Sequence, residues 1–182
     1  MQEGTIRRTA LSVRAIQLYM PPAKHAETNE RLSRSRRWLL EAKPLTTDDY
    51  AMHLIGLYWT GASKAKLSLA AAVLKKQQNA DGGWKQSGYL SSDAFATGEA
   101  LWALKESGML ATTEAGYRRG VKFLLETRCE DGSWYIRSRA VKLQPYFQSG
   151  FPFDHDQWIS AAGTAYAVMA LAPVMNENRP VR

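Results

Sequence analysis

Two short segments of the chain have the residue types that acid–base chemistry needs. The first is Asp154-His155-Asp156, where two carboxyl groups flank an imidazole and Trp158 follows close behind. A cluster of this kind can hold and transfer protons. It can equally cap a helix and anchor the loop before it, because such side chains bind the free N–H groups at a helix start. The sequence leaves both interpretations open.

The second segment is Thr46-Thr47-Asp48-Asp49, which precedes an apolar stretch. Asp48 and Asp49 are candidate catalytic acids, and His53, one turn further on, is a candidate ligand-binding residue. The alternative is an ordinary helix start, in which the two acids face the positive end of the helix dipole. His53 would then be a hydrogen-bonded core residue.

The histidine and cysteine positions do not indicate a metal site. His25, His53 and His155 are scattered along the chain without ligand spacing, and Cys129 is the single cysteine. One cysteine also excludes an intramolecular disulfide. We therefore expect neither a metal nor another cofactor.

Hydrophobic periodicity and helix-breaking residues predict an all-α domain with about seven helices. The last helix is expected to end before Pro173. A long aromatic and proline-containing segment, residues 135–153, is either a functional loop or a cover over the end of the core. The expected helices lie roughly at 5–20, 27–43, 46–61, 64–78, 91–108, 112–128 and 156–172.

The expected helices alternate in composition. The odd-numbered ones are rich in small and apolar residues, most clearly at residues 94–104 and 161–169, which is typical of helices buried on both sides, and the even-numbered ones carry Lys and Arg on one face. This alternation predicts inner and outer helices stacked as hairpins in a solenoid or toroid. The aromatic residues of the inner helices either line an apolar pocket or simply fill the core: Phe95, Trp102, Trp158 and Tyr166.

A sequence repeat supports the hairpin interpretation. Residues 78–84 (QNADGGW) reappear as residues 128–134 (RCEDGSW), and the two tryptophans, Trp84 and Trp134, are 50 residues apart. Each copy follows an amphipathic stretch. Gly82 and Gly132 are suited to the left-handed backbone that ends a helix. The Gln78 amide has donors and an acceptor for free backbone groups at neighbouring helix ends.

The repeated element resembles the QW motif of the squalene/hopene cyclase and prenyltransferase β-subunit superfamily. Gln78, Gly82, Trp84, Gly132 and Trp134 carry the resemblance, together with a basic–glycine pair and an aromatic–leucine pair before the second copy. Arg128 departs from the motif, because it occupies the glutamine position. In this family the motif joins hairpins and performs no chemistry.

The resemblance implies an α/α toroid. A complete toroid of this family has more helices than the seven expected here, so residues 1–182 form a single domain that is an incomplete barrel or solenoid. The chain is then part of a longer protein, an open partial solenoid, or a subunit that closes by self-association. An unclosed edge would expose apolar helix faces.

The resemblance also sets the functional expectation. Triterpene cyclases protonate an alkene with an Asp-x-Asp-Asp motif, and here Thr46 stands where the first Asp belongs. We therefore expect a module without an intact catalytic acid, binding an apolar terpenoid or polyprenyl ligand or another protein. The alternative is an active cyclase that uses Asp48 and Asp49. The segment Thr97-Gly98-Glu99-Ala100 is similar to that of complement-like thioester domains, but it lacks their Cys and Gln.

The charge balance raises one further alternative. The chain has a net charge of +7, with basic clusters at residues 31–37 and at Arg137, Arg139 and Lys142. These clusters suit either a solvated basic surface or an anionic partner. We favour the solvated surface and do not expect nucleic acid as a partner. The sequence has no signal-peptide pattern and no long apolar run, so a cytoplasmic protein is expected if the chain is full length.

Overall fold

A computed structural model of the protein describes residues 4–139 and 147–177, and this part of the chain is almost entirely helical. The all-α class and the seven expected helices are confirmed for the described residues. Short 3-10 turns, Pro22–Lys24 and Asp154–Asp156, precede the second and seventh helices. The helices are α1 Thr5–Tyr19, α2 His25–Glu41, α3 Thr47–Trp59, α4 Lys64–Lys76, α5 Ala94–Glu106, α6 Ala115–Glu126 and α7 Gln157–Glu177.

Packing separates the odd-numbered from the even-numbered helices. Helix α1 packs on α3, α3 on α5, and α5 on α7, so these four form one continuous row. Helix α2 packs against α1 and α3, α4 against α3, and α6 against α5 and α7. The difference in composition between odd and even helices therefore follows their packing: the row carries most of the core, and the basic faces of the other helices are exposed.

Helix starts follow the sequence closely. Thr46 caps α3, where its hydroxyl accepts a hydrogen bond from the Asp49 N–H and the Asp49 carboxylate accepts one from the Thr46 N–H. Asp93 caps α5 through the Ala96 N–H at 2.9 Å. A two-residue ribbon, which the sequence pattern did not indicate, precedes α5: β1 (Trp84–Lys85) pairs antiparallel with β2 (Ser92–Asp93), Trp84 opposite Asp93.

Helix α7 differs from the expectation in two respects. It was expected to be buried all round, yet Trp158, Val168, Met169 and Met175 are exposed, because α7 ends the described row and no further helix covers its outer side. It also continues through Pro173 to Glu177 instead of ending before the proline. Pro173 removes only one backbone hydrogen bond, and its neighbours Met169 and Ala172 lie toward solvent, where water can replace that bond.

The apolar character of this helix also bears on membrane insertion. Within the described ranges, the stretch Asp154–Met175 is long and apolar enough to cross a bilayer by length and composition, with 22% of the relevant window buried. A single helix of this kind is weak evidence for a membrane span, because the core helices of soluble proteins pass the same test.

Candidate functional site

One polar side chain from each of the four row helices meets in a single cluster. Arg7 on α1 is the centre of the cluster, and its Nε donates a hydrogen bond to Asp48 Oδ1 on α3 at 2.7 Å. Its Nη1 donates to the Tyr166 hydroxyl on α7 at 3.1 Å. Its Nη2 contacts both the Asp48 carboxylate and the carboxyl group of Glu99 on α5. The cluster therefore connects residues that are far apart in the sequence.

Gly98 allows α5 and α7 to pack closely enough to form this cluster. A Cβ atom at position 98 would lie 2.5 Å from the Tyr166 carbonyl carbon and 2.6 Å from the Ala167 nitrogen. Real Cβ atoms do not approach a backbone so closely, so only glycine permits α5 and α7 to pack at this distance. The close approach places Glu99, the next residue, beside Tyr166.

The cluster is largely closed to solvent. The side chain of Glu99 is fully buried, that of Arg7 is 11% exposed and that of Asp48 is 24% exposed. Burial disfavours the charged form of Arg7, but the carboxyl groups of Glu99 and Asp48 outweigh it, and the pKa of Arg7 is raised. Arg7 therefore stays charged.

The pKa of Glu99 is also raised, but for this group a raised pKa favours the neutral form. Burial raises the pKa of Glu99 well above its ordinary value, the charge of Asp48 adds to the rise, and Arg7 opposes it. Burial and then Glu99 also raise the pKa of Tyr166 to about 12. One cation thus faces two carboxyl groups, and a protonated Glu99 leaves the cluster neutral. Glu99 Oε2 is buried and has no hydrogen-bond partner among the described residues.

Aromatic side chains continue from this cluster along the row. The rings of Tyr166 and Trp102 lie 5.9 Å apart between centroids, and those of Trp102 and Trp59 lie 6.1 Å apart. Phe95 meets Tyr166 edge to face at 5.4 Å. The Arg14 guanidinium lies over the Trp59 ring at 5.5 Å, within cation–π distance. The row therefore has an aromatic line next to its polar cluster.

An open groove adjoins the aromatic line at the C-terminal ends of α5 and α7. Its volume is about 440 Å³, within the usual range of small-molecule sites. Trp102, Met169, Ala172 and Pro173 give it apolar walls, and Lys105 and Glu106 add charged groups. Below, we call this space the α5/α7 groove.

The structure unites some of the predicted site residues and separates others. Phe95, Trp102 and Tyr166 are in ring contact, and Asp48 joins the cluster beside them. Asp49 does not join it, because its carboxylate accepts hydrogen bonds from the Leu45 and Thr46 N–H groups, both at 3.2 Å. Asp48 and Asp49 therefore do not act as a pair.

His53 lies away from the cluster. Its Nε2 is 2.7 Å from the carbonyl oxygen of Leu39 on α2, and burial lowers the pKa of its imidazole. The interpretation as a hydrogen-bonded residue within the packed helices fits this geometry. His53 also contributes to a separate apolar groove between α2 and α4.

The segment Asp154-His155-Asp156 lies at the start of α7, away from the α5/α7 groove. Asp156 accepts hydrogen bonds from the Tyr135 hydroxyl at 2.8 Å and the Ser138 N–H at 2.9 Å. It thereby joins the start of the long connection to the helix that follows it. His155 is exposed. Trp158 is 60% exposed and stacks on Phe147 at 6.3 Å. The middle of the connection, including Lys142 of the second basic cluster, lies outside the described residues.

The tryptophans of the two repeat copies make equivalent hydrogen bonds. Trp84 Nε1 donates to the Leu74 carbonyl and Trp134 Nε1 to the Leu124 carbonyl, both at 2.8 Å. Both carbonyls belong to the last turns of α4 and α6, where helices have free acceptors. The backbone N–H groups of these tryptophans bond threonine hydroxyls on the next row helix, Thr97 at 2.9 Å and Thr164 at 3.0 Å.

Gln78 and two glycines shape the repeated turns. Gln78 Nε2 donates to the carbonyls of Gly82 and Gly116, both at 2.8 Å, and so joins the turn to α6. Gly82 and Gly132 have φ values of 88° and 87°, in the left-handed region. At Gly82 a Cβ would also lie 2.5 Å from the Arg119 carbonyl oxygen. The repeated turns therefore connect neighbouring helical hairpins through hydrogen bonds.

The basic and metal-ligating residues show no further site. Arg31 pairs with Glu27 on its own helix, and Arg36 donates to the carbonyls of Thr60 and Gly61 at the end of α3. Part of the first basic cluster is thus used within the fold. In the described ranges, no three His, Cys, Asp or Glu side chains converge as metal ligands do.

Sequence reasoning missed Arg7 and Glu99 as members of a site. The available signal was Glu99 itself, a lone carboxyl group inside the apolar run that becomes α5. A buried carboxyl group needs a cation or a proton. The periodicity of α1 did not reveal Arg7 as that cation, since the pairing is a tertiary contact.

No family model matches the chain, and no curated protein matches it. The likeness to squalene/hopene cyclases and prenyltransferase β-subunits accordingly remains a prediction based on the repeated turns.

Proposed function

We propose that the chain is an α/α-toroid-type module of the cyclase and prenyltransferase kind that binds an apolar ligand in the α5/α7 groove. The observation that carries the proposal is the position of Trp102, which both lines the groove and contacts the aromatic line of Trp59 and Tyr166. A prenyl chain or a triterpenoid ring presents the apolar surface that such walls accept.

The state of the acidic residues favours binding over catalysis. Asp48 is paired with Arg7, and Asp49 caps α3. Both carboxyl groups are therefore engaged in hydrogen bonds within the fold, and neither lines the α5/α7 groove. These contacts support a module that holds its ligand without converting it.

Two substitutions on neighbouring residues of α7 test this proposal. Met169 lines the groove and is 42% exposed, whereas Val168 is 53% exposed and does not line it. Geranylgeraniol binding would be measured by tryptophan fluorescence quenching. We expect Met169→Glu to weaken binding at least about tenfold and Val168→Glu to leave it unchanged. Equal binding by both variants, or no binding by the parent protein, would refute the proposal.

A second candidate is acid-catalysed isomerisation of a terpenoid, with Glu99 as the proton-bearing group beside Asp48. The raised pKa of the buried Glu99 favours it, because a carboxyl group that keeps its proton is available as an acid. Product analysis with squalene and geranylgeranyl substrates tests it. Turnover that disappears in both Glu99→Gln and Asp48→Asn would support it, and its complete absence in the parent chain would exclude it.

Self-association is a third candidate, and it rests on the exposed side of α7. Trp158, Val168 and Met175 are each more than half exposed on this helix, at 60%, 53% and 69%. Exposed apolar faces of this kind mark interaction surfaces. Sedimentation of the parent chain and of Val168→Glu tests this candidate: a dimer that becomes monomeric in the variant supports it, and a monomeric parent excludes it.

A further inference from the structure

A second groove lies over α3, between α2 and α4. Its floor is the stripe Tyr50, His53 and Leu57, spaced i, i+3 and i+7 along α3. Its walls include Leu40 from α2 and Leu69 from α4, and its volume is about 230 Å³. Below, we call it the α2/α4 groove.

The walls of this groove leave apolar surface in water. Leu69 is 65% exposed, Val73 47% and Leu40 44%. Single exposed apolar residues need no explanation, but three that line one groove form a continuous patch.

The neighbouring gap between α4 and α6 is closed by comparison. Gln78 bonds the Gly116 carbonyl at 2.8 Å, Lys75 lies 3.9 Å from the Glu114 carboxylate, and Leu110 is buried in the core. No hydrogen bond or ion pair joins α2 to α4 within the described ranges. Within the described ranges, the gap between α2 and α4 is therefore open where the gap between α4 and α6 is closed.

The charges around the groove are positive. Helix α4 carries four lysines and no acidic residue. Lys66, Leu69, Val73 and Lys76 fall at i, i+3, i+7 and i+10, so the apolar stripe of α4 has a lysine at each end. Across the groove, residues 34–43 contain one acidic residue and four basic residues, of which Arg36 is bonded to the carbonyls at the end of α3.

We propose that the α2/α4 groove binds an acidic amphipathic helix of a partner protein. The partner's apolar residues at i, i+3, i+4 and i+7 would lie on the floor formed by His53 and its neighbours, as in other helix-in-groove complexes. Its flanking Asp and Glu side chains would face the lysines of α4 and the basic residues of α2. This charge complementarity specifies the occupant. A groove recessed between two helices suits one row of side chains better than a flat bilayer.

The test selects ligands without assuming their sequence. A displayed library of helix-favouring peptides of about 18 residues, or five turns, is panned against the whole chain. We expect the enriched sequences to combine the i, i+3, i+4, i+7 apolar pattern with an excess of Asp and Glu. No enrichment, or enrichment without either feature, would overturn the proposal.

Matched variants then locate the bound peptide. Leu69→Glu should weaken binding of the enriched peptides at least about tenfold, as measured by fluorescence anisotropy. Leu125→Glu, at a 55% exposed position on α6, should leave it unchanged. Lys66→Glu should weaken acidic peptides and strengthen their Lys-substituted versions. An unchanged affinity in Leu69→Glu overturns the proposal.

Two other occupants are separable outcomes. If the parent chain sediments as a dimer and Leu69→Glu as a monomer, the groove holds a second copy of the chain and the proposal fails. If vesicles with phosphatidylserine bind the parent chain but not Leu69→Glu, and no peptide is enriched, the groove holds lipid and the proposal fails.

Discussion

The guanidinium group of Arg7 contacts the fully buried carboxyl group of Glu99, although the two residues are 92 positions apart in the sequence. The contact spans the row from α1 to α5, and Asp48 on α3 shares the same guanidinium nitrogen. A single cation thus ties three row helices together, and its hydroxyl partner, Tyr166, adds the fourth.

Removing this cation should destabilise the fold. We expect Arg7→Met to lower the free energy of unfolding by about 3 kcal/mol, because it leaves buried carboxyl groups without their partner. Arg8→Met is the matched control, since Arg8 is exposed on the same helix, and it should change stability by less than about 0.5 kcal/mol. Urea denaturation measures both. Equal effects would show that the cluster does not stabilise the fold.

Restoring neutrality should recover much of this loss. The triple variant Arg7→Met, Asp48→Asn, Glu99→Gln replaces the cation and both carboxyl groups by neutral side chains, and buried ion clusters can be replaced by neutral groups at little cost. We expect it to be more stable than Arg7→Met alone. A triple variant that is less stable than the single one would mean that hydrogen bonding, and not charge balance, dominates the cluster.

Glu99 should make stability fall with rising pH. Its folded-state pKa lies well above the ordinary 4.5, so the folded state keeps a proton that the unfolded state has lost. The free energy of unfolding therefore decreases as the pH rises above the unfolded pKa. We expect the urea midpoint of the parent chain to drop as the pH rises above about 5, and that of Glu99→Gln to drop less. Identical pH profiles would contradict the assignment.

Gly98→Ala should force α5 and α7 apart. The added methyl group would lie 2.5 Å from the Tyr166 carbonyl carbon, and backbone cannot yield as a flexible side chain can. We expect a loss of about 3 kcal/mol in thermal or urea unfolding. Gly88→Ala is the control, since a Cβ there meets no atom within 4 Å. A well-folded Gly98→Ala protein with unchanged stability would contradict the close approach of these helices.

The two repeat tryptophans should behave alike. Trp84→Phe and Trp134→Phe each remove an indole N–H bond to the end of an outer helix and leave a small cavity. We expect each to cost about 2 kcal/mol in urea denaturation. Trp158→Phe, at a 60% exposed position, should cost much less. A large difference between Trp84→Phe and Trp134→Phe would show that the two turns are not equivalent.

Local sequence was enough to predict the helices and their punctuation. Thr46 and Asp93 cap α3 and α5 because short polar side chains satisfy free N–H groups, a rule that depends on a few neighbouring residues. Gly82 and Gly132 end their turns for an equally local reason, since glycine tolerates positive φ. The apolar sequences of α5 and α7 also predicted that these helices are inner ones, whereas α1 lies in the same row although its sequence contains Arg7, Arg8 and Arg14.

The tertiary structure decided which side chains contact each other in the candidate site. The sequence left open whether Asp48 and Asp49 are candidate acids or part of an ordinary helix start, and packing placed Asp48 against Arg7 and Asp49 in the helix cap. The exposed face of α7 likewise depends on its place at the end of the described row, which its own apolar sequence does not encode. Helix starts are determined by contacts within a turn of the chain. The polar cluster forms only when four helices that are distant in the sequence pack together. Of its members, Glu99 alone could be recognised from the sequence, because a carboxyl group inside an apolar helix needs a partner.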